Sequence, residues 1–146
     1  MYTLRRATPD DLPLLLPRTR ALQDHESIPI SDDALEAALR KLLADGSLGG
    51  AWLIVADDVV GYAIVTFGYD LEFGGRDAYL TELFVDEGAR GHGAGTAALA
   101  LLDPELRALG VRALHLQVRP ENHATRLYER AGFTRVPRWI MSRRLS

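Results

Sequence analysis

The chain has 146 residues, with 17 basic and 20 acidic side chains, a net charge of −3 and no cysteine. Its 47% hydrophobic and 25% charged content is ordinary for a globular chain long enough to bury one good core. The slight acidity removes the electrostatic ground for nucleic-acid binding. The lack of cysteine excludes disulfides, thiolate metal sites and a cysteine nucleophile.

Tyr2 to Arg6 reads as a short strand with no apolar stretch behind it, so no signal peptide is expected. Thr8-Pro9-Asp10-Asp11 is a helix start, with a hydroxyl cap, proline in the first turn and acids after it. Leu12, Leu15, Leu16 and Leu22 give that helix a buried side, while Pro13 and Pro17 predict a bent or irregular course. Ser31-Asp32-Asp33 caps a second helix carrying Leu35, Leu39 and Leu42 at helical spacing, and Gly46 ends it. Residues 52–56 and 59–67 are β-rich runs around Asp57-Asp58, which predicts a hairpin. Gly74-Gly75 marks a turn before a strand ending at Val85. A helix from about Gly93 places Leu99, Leu102, Leu106 and Leu109 on one side, and Pro104 interrupts it, with Asp103 placed to cap a restart. Ala113 to Val118 is a further strand. Asn122 can cap a fourth helix with inner positions Ala124, Leu127, Tyr128 and Ala131. Residues 133–136 and 138–145 read as closing strands. The expected fold class is α/β, a mixed and mostly antiparallel sheet flanked by about four helices, in one domain over residues 1–146. No apolar run reaches membrane-spanning length, so a cytoplasmic protein without a membrane partner is expected.

Residues 79 to 96 carry most of the functional information. An apolar run from Tyr79 to Val85 stops at an acidic turn. Arg90 and three alternate glycines, Gly91, Gly93 and Gly95, then lead into an Ala/Leu helix. Glycines let backbone approach a ligand closely, and a helix N-terminus adds unpaired donors and partial positive charge, so the loop suits a phosphate or pyrophosphate. A dinucleotide fingerprint starting at Gly91 would need glycine where Thr96 stands, and an ATPase-type loop would need a lysine that is absent. The other reading is a plain tight strand-to-helix connection.

Arg90-x-x-Gly93-x-Gly95 after Leu-Phe-Val resembles the acyl-CoA pyrophosphate loop of the GNAT superfamily of N-acetyltransferases. Residues 118 to 133, with Asn122, Ala124, Leu127-Tyr128-Glu129 and Gly132-Phe133, resemble that superfamily's second signature. The two lie in the expected order, and the resemblance covers about residues 3–145. It implies a sheet splayed at the coenzyme site, acetyl-CoA as co-substrate, and a loop of Arg90, Gly91, His92, Gly93, Ala94, Gly95 and Thr96 at the pyrophosphate. It also implies a pantetheine arm lying along the strand edge near Phe84 and Val85, whose N–H groups would meet the oxyanion. Asn122 is a further coenzyme-contact candidate, but only five residues separate it from Tyr128 where the family usually has six.

Acetyl transfer to an amine needs a base, because a lysine-like amine is only about 0.04% neutral at pH 7. Glu82, among Leu80, Leu83, Phe84 and Val85, is the candidate base, since apolar neighbours strip its hydration and raise its basicity. The other reading leaves it facing solvent or paired with an arginine. Tyr128, a phenol protonated at neutral pH, is the candidate acid for the departing thiolate, against a reading as core filler. His25, Glu26, Tyr69, Asp70 and Glu72 are candidates for the acceptor pocket, where an acidic lining would suit a cation. The histidines lack metal-ligand spacing, so no metal is expected. The expected function is N-acetyl transfer to a primary amine of a small molecule or peptide. The alternative is a non-catalytic acyl-CoA-binding sensor or interaction module. A homodimer is left open.

Overall fold

In a computed structural model describing residues 1–146, one five-stranded sheet has the order β1-β2-β3-β4-β5. The elements are β1 (Thr3–Arg6), α1 (Leu12–His25), α2 (Asp32–Ala44), β2 (Gly49–Val55), β3 (Val59–Asp70), β4 (Gly75–Val85), α3 (Ala94–Ala108), β5 (Ala113–Leu116) and α4 (Ala124–Arg130). β1 to β4 pair antiparallel, and β5 joins β4 in parallel after the α3 crossover. The hairpin expected at Asp57-Asp58 links β2 and β3, and Gly74 turns the chain into β4 with φ +71°.

Alternation along the strands divides the core between two layers. Trp52, Ala63, Val65 and Leu80 pack against Leu99, Leu102 and Leu106 of α3. On the other face Ala51, Leu53, Tyr62 and Ile64 meet Leu12 and Leu15 of α1 and Leu39 of α2. Strands buried on both faces explain why residues 51–54 and 62–65 are apolar without a polar alternate.

The helix starts behave as their residues dictate. Ser31 Oγ accepts from the N–H of Ala34 at 3.2 Å. The Thr8 N–H donates to Asp11 Oδ2 at 2.8 Å, and Asp11 also takes two hydrogen bonds from Arg5, which hold its carboxyl below the usual range. The expected irregularity at the prolines is corrected. α1 runs unbroken through Pro17, and Pro13 lies in the first turn, where no donor is needed. α3 likewise continues through Pro104, so Asp103 caps no second helix.

The two closing strands are also corrected: neither residues 133–136 nor 138–145 join the sheet. Apart from the Arg138 N–H bond to Val136 O, the backbone of residues 134–146 makes no hydrogen bond, and the chain bends at Pro137. Strand-forming side chains specify a strand only where an edge receives them.

Candidate active site

β5 pairs with β4 only from Asp77 to Leu80, after which β4 continues to Val85 while the chain after Leu116 diverges. The two strands open into a cavity of about 580 Å³, walled by Thr81 to Val85 on one side and Leu116 to Arg119 on the other. A bulge sharpens the opening. Ile64 faces Glu82 and Val65 faces Leu80, so Thr81 is an extra residue on β4. The Asp86 N–H bonds to Val60 O, and alternation then turns the N–H groups of Val85 and Leu83 into the gap. The N–H of Phe84 points toward β3 instead, so of the two expected oxyanion donors only Val85 faces the cavity. Gly61, opposite Val85, is required by proximity: a Cβ there would stand 2.2 Å from Phe84 O.

The register puts Glu82 on the α1 side of the sheet. Its Oε1 accepts from the Tyr62 hydroxyl at 2.6 Å and its Oε2 from Gln23 Nε2 at 2.9 Å. Burial raises the Glu82 pKa above the ordinary glutamate value, and these two donors partly oppose the rise. Burial and the neighbouring carboxylate push the Tyr62 phenol strongly upward, so Tyr62 stays a donor. Sequence reasoning assigned no role to Tyr62 or Gln23. The signal was present for Gln23: Leu12, Leu15, Thr19 and Gln23 form the buried stripe of α1, and its polar members need partners.

Tyr128 lines the same cavity from α4, and its hydroxyl has no partner within the protein. Its ring packs edge-on against Phe133 at 6.0 Å. Burial raises its pKa, and the negative charge of Glu26 adds to the rise. Asn122 also lines the cavity, while its Oδ1 accepts from the Ala124 N–H at 2.8 Å, so its side chain supports the start of α4.

At the mouth the glycine loop turns into α3. Gly91 and Gly93 hold φ of +82° and +85°, and the first bond of the helix runs from the Ala97 N–H to Gly93 O. None of the N–H groups of Gly91, His92, Gly93, Ala94, Gly95 and Thr96 is used within the protein. This is a cradle of six free donors at the start of a 15-residue helix, suited to an anion. Arg90 adds charge beside it, donating to Val85 O at 2.9 Å with its guanidinium over the Phe84 ring. The Tyr2 hydroxyl fixes the loop to β1 through His92 O at 3.1 Å, and Arg18 grips Asp86 with two bonds of 2.8 Å.

The profile of the acetyltransferase (GNAT) family matches residues 16–133, most of the chain and all of this site. The chain belongs to that family. No curated protein sequence matches this GNAT protein. An integron cassette protein from the mobile metagenome of Cole Harbour salt marsh is 32% identical to it, with a TM-score of 0.86 over 98% of this chain and 90% of that one. An acetyltransferase candidate from Arthrobacter sp. FB24 is 30% identical, with a TM-score of 0.83 over 98% and 96%. The aminoglycoside N-acetyltransferase AAC(6')-Iy, solved with CoA, shares the fold at 20% identity, with a TM-score of 0.82 over 99% and 95%.

Of the five acceptor candidates, this GNAT protein brings His25 and Glu26 to the cavity. Arg119 crosses from the β5 side to Glu26, 3.6 Å from its carboxylate and 3.3 Å from its carbonyl oxygen. Tyr69, Asp70 and Glu72 stand elsewhere. The β3–β4 turn lies at the far end of the hairpin, with Gly75 roughly 23 Å from Glu82 at the rise of a strand. There Asp70 accepts from the Glu72 N–H, and Glu72 pairs with Arg138 at 2.9 Å.

Gly93 offers a direct test of the cradle. Space around it is open, but its φ of +85° disfavours any β-branched residue. Gly93→Val is expected to turn the donors away and weaken acetyl-CoA binding about 10- to 100-fold, from strain of about 1–3 kcal/mol. Titration calorimetry on folded variant checks this, and unchanged affinity would place the pyrophosphate elsewhere.

Proposed function

We propose that this GNAT protein transfers an acetyl group from acetyl-CoA to a primary amine of a small molecule or peptide. The observation that carries this reading is the convergence of Glu82, Tyr128 and the inward Val85 N–H on one cavity whose mouth adjoins the loop of free donors. The family and the CoA complex of a protein sharing the fold support acetyl-CoA as donor. Residues 90 to 96 fit its pyrophosphate, and the free edge of β4 from Thr81 to Val85 fits its extended arm.

Glu82 takes a proton from the acceptor ammonium, directly or through a water molecule, leaving a neutral amine. The nitrogen then bonds to the thioester carbonyl carbon, and the Val85 N–H stabilises the oxygen as it becomes negative. When the carbon–sulfur bond breaks, Tyr128 gives its proton to the sulfur, and the proton lost by the new amide nitrogen restores the phenol. The products are the amide and free CoA thiol, and Glu82 returns to the carboxylate by releasing the ammonium proton to solvent.

Glu26 is the acidic group placed to favour a cationic acceptor. Glu26→Gln is expected to raise KM for a cationic amine about 3- to 10-fold with kcat little changed, as suits a partly exposed charge. The effect should shrink as salt rises. Initial rates at two ionic strengths check it; an enzyme preferring neutral or acidic acceptors would remove Glu26 from recognition.

A panel of amines and peptides with acetyl-CoA, read by released thiol, tests the reaction. Thiol release with at least one amine is expected. Tight acetyl-CoA binding without release for any acceptor would instead make the protein a non-catalytic acyl-CoA-binding module.

A further inference from the structure

The α1 side of the cavity carries polar groups that the proton transfer leaves unused. Gln23 is only 8% exposed, and its Nε2 is committed to Glu82 at 2.9 Å. Its Oε1 accepts from no protein group and opens on the cavity. An amide oxygen buried beside the base, with no partner of its own, calls for a donor from a ligand.

Glu26 stands one turn further along, on the same side of the helix as Gln23. The helix closes there in a tight turn: the Ile28 N–H bonds to Gln23 O at 2.9 Å and the Ser27 N–H to Asp24 O at 3.1 Å. Ser27 takes φ +57°, a conformation in which glycine is usual. The turn fixes Glu26 at the cavity wall, facing Arg119 from the β5 side. Both charges have capacity left. Arg119 uses only Nη2, toward the Glu26 carbonyl at 3.3 Å and its carboxylate at 3.6 Å, so Nε and Nη1 are free. At 3.6 Å the carboxylate feels that charge but accepts no hydrogen bond. A partly exposed pair of this kind contributes little, so a ligand displaces it at small cost.

We propose, on the acetyl-transfer reading above, that the acceptor is a basic α-amino acid whose side chain ends in a primary amine. Its α-carboxylate lies on the free edge of Arg119, its α-ammonium on Glu26, and its side-chain nitrogen between Gln23 Oε1 and Glu82. The order of groups along the cavity is the order of groups along such a molecule. The adjacent opposite charges of Arg119 and Glu26 match an ammonium and a carboxylate on one carbon, and a guanidinium fork suits a carboxylate. Residues three apart on a helix have Cβ atoms about 5–6 Å apart, roughly the separation of two nitrogens joined by three or four carbons. Such a molecule remains a net cation, as the role of Glu26 requires. The side-chain nitrogen gives one proton to Glu82 and bonds to the acetyl carbon, and the carbon–sulfur bond breaks as Tyr128 protonates the sulfur. A second proton from that nitrogen restores the phenol, leaving an amino acid acetylated on its side chain and free CoA thiol.

Initial rates with acetyl-CoA compare L-ornithine and L-lysine with two truncated sets. Putrescine and cadaverine lack the carboxylate; the matching straight-chain ω-amino acids lack the α-ammonium. kcat/KM is expected to be at least about 10-fold higher for the amino acids than for either set. Arg119→Gln should bring the ratio of ornithine to putrescine close to one, and Glu26→Gln the ratio of ornithine to its ω-amino acid. Each ratio compares two substrates on one preparation, so it is independent of the fraction folded. Mass spectrometry should place the acetyl group on the side-chain nitrogen. Diamines used as well as the amino acids, acetylation of the α-nitrogen, or ratios indifferent to both substitutions would overturn the proposal. So would no thiol release with ornithine or lysine. Release with another amine of the wider panel then leaves the acetyltransferase reading in place, and silence across that panel removes both.

Discussion

Replacing Tyr128 with phenylalanine is expected to lower turnover about 10²- to 10⁴-fold while leaving acetyl-CoA affinity nearly unchanged. The substitution keeps the ring, and with it the edge-on contact to Phe133, and removes only a hydroxyl that no protein atom engages. A thiol near pKa 8.5 leaves more readily when its developing charge meets a donor, and a phenol held above its ordinary value by burial and by Glu26 remains a donor throughout the working range. The loss should therefore fall on kcat, not on KM for the coenzyme. Single-turnover rates, with chemistry shown to limit, are the measurement. Turnover like that of the wild type would remove Tyr128 from the reaction and leave it as a core residue.

Tyr128 and the glycine loop were legible because local sequence expresses them. The left-handed backbone at Gly91 and Gly93 admits little but glycine, and a helix start after an apolar strand is written in consecutive residues. The sheet from β1 to β5 was legible for a similar reason, since hairpins and the crossover join neighbours in the chain. Glu82 could be found as a carboxylate among apolar residues, but not its partners. Tyr62 and Gln23 reach it from 20 and 59 residues away, through strand register and helix phase. Three of the five acceptor candidates, Tyr69, Asp70 and Glu72, fall away from the cavity by the same logic. His25 is the last residue of α1 and Tyr69 lies at the end of β3, and only the direction of each strand decides which of these ends meets the splay. The closing strands failed because residues 133–145 have the composition of a strand without a partner within the chain.

The proposed base, Glu82, gives the second large effect. Glu82→Gln is expected to lower kcat/KM about 10²- to 10⁴-fold and to abolish the acidic limb of the pH profile. Stability gives the control. Because burial raises the Glu82 pKa in the folded state, its contribution to stability is complete below the unfolded value and is lost as pH rises through the folded value. Above that point an ionised carboxylate is held in a cavity that disfavours it. The neutral glutamine carries no such cost, so Tm at pH 7–8 should not fall and lost activity cannot be ascribed to unfolding. In the wild type the acidic limb should lie above the ordinary glutamate value. Tyr62→Phe should move it further up: the Tyr62 hydrogen bond favours the charged form of Glu82, and removing it makes the proton harder to lose. A limb that stays in place in Tyr62→Phe, or survives in Glu82→Gln, would assign the proton transfer to another group. A limb that moves up in one variant and vanishes in the other ties it to the carboxylate that Tyr62 and Gln23 hold.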